Sequence, residues 1–174
     1  MRALLHYIIL AVSALILALI SLHLFSFFDW FVRDAGISLA LITAIALYPV
    51  LRNNLFLFFV IFFAVSIDVL SLRQYPFTAI ALIGACAITS LTPFYDRPLE
   101  LHIPLAAFSL IMSAGYTIII HLAQIIFFDA RMPMPAFFYA FSAMLAQAAL
   151  GYIMALLINY IGMQFSREKV VKRI

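Results

Sequence analysis

The chain has 174 residues, 68% of them hydrophobic and only 10% charged, with a mean hydropathy of +1.20. Soluble domains carry roughly 25% charged residues, so a surface of this composition faces lipid. The formal net charge of +3 and the pI near 9.2 come mainly from the last eight residues, which suits a cytoplasmic membrane surface better than a nucleic-acid partner.

Within lipid, backbone polar groups must be satisfied inside the segment itself, which leaves helices or closed barrels. Barrel strands alternate in hydrophobicity over about ten residues, whereas here the apolar runs are continuous over fifteen to twenty-eight residues. The expected fold is an all-α polytopic membrane protein, a bundle of six transmembrane helices. Six spans of about 20 residues each leave only short loops and no room for a soluble catalytic domain. Residues 1–165 form one transmembrane domain and 166–174 a basic cytoplasmic tail.

The first run, Leu4 to Phe28, is too long for a signal-peptide core of about 7–15 residues and lacks a cleavage site, so it reads as an uncleaved span. Asp29, Trp30, Arg33 and Asp34 form the polar turn after it, with Trp30 placed as an interfacial anchor. The second run is Gly36 to Leu51, closed by Arg52-Asn53-Asn54. The third is Leu55 to Leu72, broken by Arg73, Gln74, Tyr75 and Pro76. The fourth is Phe77 to Leu91, stopped at Thr92-Pro93 and followed by the proline-bounded loop Tyr95-Asp96-Arg97-Pro98. The fifth is His102 to Phe128, and the sixth Ala136 to Met163. Runs three and four are short, and a reentrant pair there is the alternative to two crossings.

With the N-terminus inside, the inner side carries Arg2, Arg52, Arg97, Arg167, Lys169, Lys172 and Arg173, against Arg33, Arg73 and Arg131 outside. Seven against three predicts that both termini are cytoplasmic. The ends decide it, because the internal loops alone give two against three.

Asp68 is the only carboxylate inside a predicted span, and intramembrane charges are paired or functional. Three readings stay open: an interfacial acid near Arg73, a contact to another helix, or a ligand for a transported species. His23, His121, Gln124 and Asn159 are the other intramembrane polar candidates, with His121 and Gln124 three apart on one helix face. Hydrogen bonding between helices is the ordinary use of such groups.

Small residues mark two packing faces. Gly36, Ala40 and Ala44 are spaced by four on the second run, and Ala143, Gln147, Gly151 and Ala155 by four on the sixth, continued by Asn159. Such spacing lets backbones approach closely. The chain holds 18 Phe, and the cluster Phe56, Phe58, Phe59, Phe62 and Phe63 on the third run is expected to face lipid or a partner's helices. Cys86 is the single cysteine, which excludes an intramolecular disulfide and a cysteine metal cluster. With no metal-ligand spacing, nucleophile triad or glycine-rich phosphate loop in the sequence, no enzyme activity, cofactor or small-molecule substrate is expected. The tail residues Arg167, Lys169, Lys172 and Arg173 are expected to lie on the membrane surface.

From the second to the fourth run the chain resembles the MreD family of bacterial rod-shape proteins. The resemblance rests on an apolar run ending in Asp68, the Val69-Leu70-Ser71 after it, and Ala79 eleven residues on, opening the next helix. Ala46-Leu47-Tyr48-Pro49-Val50-Leu51-Arg52 upstream is similar to the family's second span with its closing basic residue. Ala64, Leu72 and Pro76 stand where that family usually has other, glycine-containing sequence. The resemblance implies a fold similar to the six-helix substrate-binding components of vitamin transporters. It also implies a non-enzymatic scaffold of the cell-elongation machinery in the bacterial inner membrane, acting in cell shape and peptidoglycan synthesis. Its partner would be an MreC-like bitopic protein and, through it, an MreB-like filament and the wall synthases. The alternatives are a substrate-binding transporter component, for which His23, Asp68, His121 and Gln124 are the outer-half polar groups, and a small accessory subunit of a larger membrane complex.

Overall fold

The computed structural model describes residues 2–27, 37–51, 53–71, 77–92, 102–128 and 134–171, with side chains over 5–23, 37–51, 54–71, 77–92, 103–127 and 136–162. Among the described residues there are six helices and no strand: α1 (Arg2–Phe27), α2 (Leu39–Leu47), α3 (Asn53–Leu70), α4 (Phe77–Ser90), α5 (His102–Phe128) and α6 (Met134–Val171). Three contain stretches long and apolar enough to cross a membrane: Leu5–His23, Ile103–Phe127 and Ala136–Gly162.

The remaining helices are shorter. At 1.5 Å per residue, the 18 residues of α3 span about 27 Å, the 14 of α4 about 21 Å, and the 9 of α2 about 14 Å, against a hydrocarbon thickness of about 30 Å. The second apolar run is therefore helical over little more than half its length. Ser38 starts α2, its hydroxyl accepting from the Leu41 amide at 3.3 Å, which satisfies one of the orphan donors of a first turn. Pro49 follows the end of α2 and lacks the N–H that another helical turn would need.

The helices pack in a ring: α1 on α3, α3 on α4, α4 on α5, α5 on α6 and α6 on α2, with α2 also touching α1, α3 and α5. The shortest helix thus has the most neighbours, and Ala40, Leu41, Ile42, Ala44, Ile45 and Ala46 of α2 are all buried. Three aromatic rings fix the turn after it. Tyr48 stacks on Phe108 of α5 at 3.7 Å and 8° and meets the edge of Phe56 of α3 at 5.0 Å and 74°. All three rings are fully enclosed, an arrangement that adds quadrupole complementarity to apolar burial.

On α1 size, rather than polarity, separates inside from outside. On α1 the buried residues are Ala14, Ala18 and Ser21, while Leu15, Ile16, Leu19 and Ile20 beside them are exposed. The Phe cluster of α3 departs from the sequence expectation in part. Phe56, Phe59 and Phe63 are buried while Phe62 is exposed, because positions 56, 59 and 63 share one helical face and α3 is flanked by α1 and α4. Phe58 turns toward α1, where its ring meets Tyr7 edge-on at 5.1 Å.

Candidate functional site

Asp68 is 4% exposed, near the C-terminal end of α3. Its Oδ2 accepts from the Ala79 amide at 2.7 Å and its Oδ1 from the Thr78 amide at 3.3 Å. These two N–H groups belong to the first turn of α4, where no intrahelical acceptor exists. A carboxylate there is stabilised both by hydrogen bonding and by the positive end of the helix dipole. The two ends of the Asp68…Ala79 pattern in the sequence are thus hydrogen-bonded to each other. α3 closes just past the acid, with Ser71 donating its amide to Ile67 at 2.9 Å and its hydroxyl to the Asp68 carbonyl at 3.2 Å. Asp68 makes an inter-helix contact; Arg73 lies outside the described residues.

The small-residue faces of α2 and α6 lie on helices that pack together. Ala40, Ala44, Ala143, Gln147 and Ala155 are buried, and Gly151 is buried with them. A Cβ added at Gly151 would meet Ile45 Cγ2 at 2.9 Å and its Cβ and Cδ1 at 3.0 Å, so only glycine allows this approach. Gly36, Lys172 and Arg173 lie outside the described residues, as do the side chains of Arg167 and Lys169, although the backbone of α6 is helical through Val171. Asn159, one turn beyond Ala155, is half-buried.

The polar candidates do not converge. His23 and Gln124 are exposed, and Asp68 is engaged with α4. His121 is half-buried, with its Nδ1 2.7 Å from the Thr117 carbonyl. A carbonyl only accepts, so Nδ1 is the donor in this contact. Thr117 and His121 line a crevice of about 360 Å³ between α5 and α6, walled otherwise by apolar side chains including Ile118, Ala140, Phe141 and Met144. Among the described residues no group of three or more His, Cys, Asp or Glu is placed to hold a metal ion.

Sequence reasoning missed three features. The four-residue spacing of Ala14 and Ala18 marks the inner face of α1 by the same rule that finds the α2 and α6 faces. Gly115 lies close to α4, where an added Cβ would be 3.4 Å from Ala85 Cα; one glycine among apolar residues carries no such signal by itself. Ser109, Ser113, Thr117 and His121, spaced by four, form a polar ridge on α5 that only its full length reveals.

No family model matches the chain, no curated protein does, and no solved structure does.

Proposed function

We propose that the chain is a non-enzymatic, multi-pass scaffold of the bacterial inner membrane, of the MreD type, which holds an MreC-like bitopic partner. Through that partner it would act on an MreB-like filament and the wall synthases, and so on cell shape. The observation that supports the reading is the bond from Ala79 to Asp68, two of the residues on which the resemblance rests. Asp68 is spent on the fold, and broad apolar faces remain available: Leu15, Leu19 and Ile20 on α1 and Ile153, Leu157 and Ile161 on α6 are exposed. In this reading the chain crosses six times with both ends cytoplasmic, and α2 supplies helix over only part of one crossing.

Selectivity for the partner belongs to the helices. Each tail cation near an anionic leaflet is worth on the order of 1 kcal/mol, but that attraction is screened by salt and does not choose between proteins. Co-purification with an MreC-like protein tests this. Truncation after Ser166 should leave the complex intact, whereas Gly151→Leu should weaken it by disturbing α6. A truncated form that inserts normally yet loses the partner, while Gly151→Leu retains it, would place the interface in the tail and defeat the proposal.

A further inference from the structure

α4 is built short at both ends. At its start the Thr78 and Ala79 amides, which have no acceptor within a helix's first turn, donate to Asp68 at 3.3 and 2.7 Å. At its finish the Leu91 amide donates to the Ile88 carbonyl at 3.2 Å and the Thr92 amide to the Thr89 carbonyl at 3.0 Å, with the Thr92 hydroxyl on that same carbonyl at 2.7 Å. Pro93 comes next and has no N–H with which to extend the ladder. The 14 residues of α4 are about 21 Å long, about 9 Å less than a hydrocarbon core of about 30 Å. We infer that the bilayer is thinned beside α4 and the adjoining end of α3, so that this side of the bundle prefers lipids with short acyl chains. The inference rests on the six-crossing arrangement and is independent of the partner.

The lipid adapts because α4 cannot. Ala81, Leu82, Ala85 and Cys86 are enclosed while Ile80 and Ile88 are exposed, so hydrocarbon chains meet α4 directly on its outer side. Past Ser90 the chain is a turn, and lipid-exposed backbone outside a helix is not tolerated at hydrocarbon depth. Sliding along its neighbour would not help, because α4 is fixed to α5 at two levels. A Cβ added at Gly115 would be 3.4 Å from both Ala85 Cα and Ile88 Cδ1, and the Phe77 ring meets Phe127 edge-on at 5.7 Å. The 27 residues of α5 are about 40 Å long. A helix longer than the hydrocarbon adjusts by tilting, whereas tilting shortens the reach of one that is already too short and leaves thinning of the bilayer as its means of matching. α3 ends at the same Asp68 cap, which brings the outer ends of both helices to one level.

The test reads lipid preference separately beside a short helix and beside a long one. In the full chain carrying Trp30→Phe, a single tryptophan is placed by Ile83→Trp on α4 or by Ile153→Trp on α6, both positions being exposed. Its quenching by brominated phosphatidylcholine is then competed with phosphatidylcholines of fourteen-, eighteen- and twenty-two-carbon chains. At Ile83→Trp the shortest chains should compete at least about threefold better than the longest, and at Ile153→Trp the preference should be weaker or reversed. Equal competition by all chain lengths at Ile83→Trp, or the same short-chain preference at Ile153→Trp, would overturn the inference and leave the crossing count intact. The crossing itself is read with an impermeant thiol reagent on Val69→Cys and Leu91→Cys in a Cys86→Ala background, which should be labelled from opposite faces of proteoliposomes. A Val69→Cys that reacts only from the Leu91 face, or not at all, would make α3 and α4 a reentrant pair and defeat both the inference and the six-crossing reading.

Discussion

Replacing Asp68 should damage the junction of α3 and α4 out of proportion to the size of the change. Asp68→Ala removes two acceptors from buried amides, those of Thr78 at 3.3 Å and Ala79 at 2.7 Å. A hydrogen bond to a charged group contributes about 1.5–3 kcal/mol, and a buried donor left unmade costs about 1–3 kcal/mol. The 3.3 Å contact is the weaker, and the first turn of a helix can relax, so the expected loss is about 2–4 kcal/mol. Asp68→Asn keeps one oxygen but turns an amide N–H toward a backbone N–H, with an expected loss of about 1–2 kcal/mol. Sodium dodecyl sulfate titration of the protein in dodecylmaltoside micelles, followed by far-ultraviolet helicity, measures both. Hydrogen exchange at Thr78 and Ala79 localises the effect and should quicken in both variants. Arg73→Gln separates this account from an interfacial ion pair and should change stability by less than about 0.5 kcal/mol. If Asp68→Ala were within that same margin with exchange unchanged, or if Arg73→Gln were as harmful, the capping role would be wrong.

The approach of α2 to α6 predicts that Gly151→Ala destabilises by about 1–3 kcal/mol, as overpacking does, and that Ile45→Ala in the same chain recovers part of the loss, read as a coupling in a double-mutant cycle. Gly84→Ala serves as the control: its added Cβ meets only the flexible end of Ile119, so the cost should be smaller than at Gly151 in the same titration. For topology, reporters fused after Ile174 and beside Arg131 should report opposite sides of the membrane, with Ile174 cytoplasmic; a periplasmic Ile174 would remove the six-crossing arrangement.

Helices and their order were legible in the sequence because length and breakers decide them. Apolar runs meet at Pro76 and at Thr92-Pro93, and helices stop near each. The face of each helix was harder to read. In water, polarity tells the two faces apart, but here Leu15 and Ala14 are both apolar and only one is enclosed. The usable signal is volume: Ala14 and Ala18 turn inward for the same reason that Gly151 must be glycine, because without a hydrophobic drive between helices close approach supplies the attraction. That rule marks the small-residue faces of α2 and α6, yet it misplaces Phe56, Phe59 and Phe63, large side chains that are nonetheless enclosed on a helix flanked by α1 and α4. The role of Asp68 was only half legible. The residue stood out as the lone carboxylate in a run, but the acceptor it needs to be is set by the fold, when the chain reverses and brings the start of α4 to it.

The shortness of α2 links the packing seam to the crevice. A helix of 9 residues is about 14 Å long and can cover only a matching stretch of a longer neighbour. On α6 the enclosed residues Ala143, Gln147, Ala148 and Ala155 run over a stretch of about 18 Å, close to that length. Upstream of it Phe137, Phe138, Tyr139 and Phe141 are exposed, and the crevice against α5 occupies this same stretch, its wall on α6 ending at Met144, where the seam begins. A second helix as long as α5 would continue along α6 past Ala143 toward Phe137. The glycine-mediated seam needs only a short helix, and stopping that helix early leaves the far half of the α5–α6 pair unsealed. The close contact at Gly151 and the crevice that ends at Met144 thus occupy successive stretches of α6.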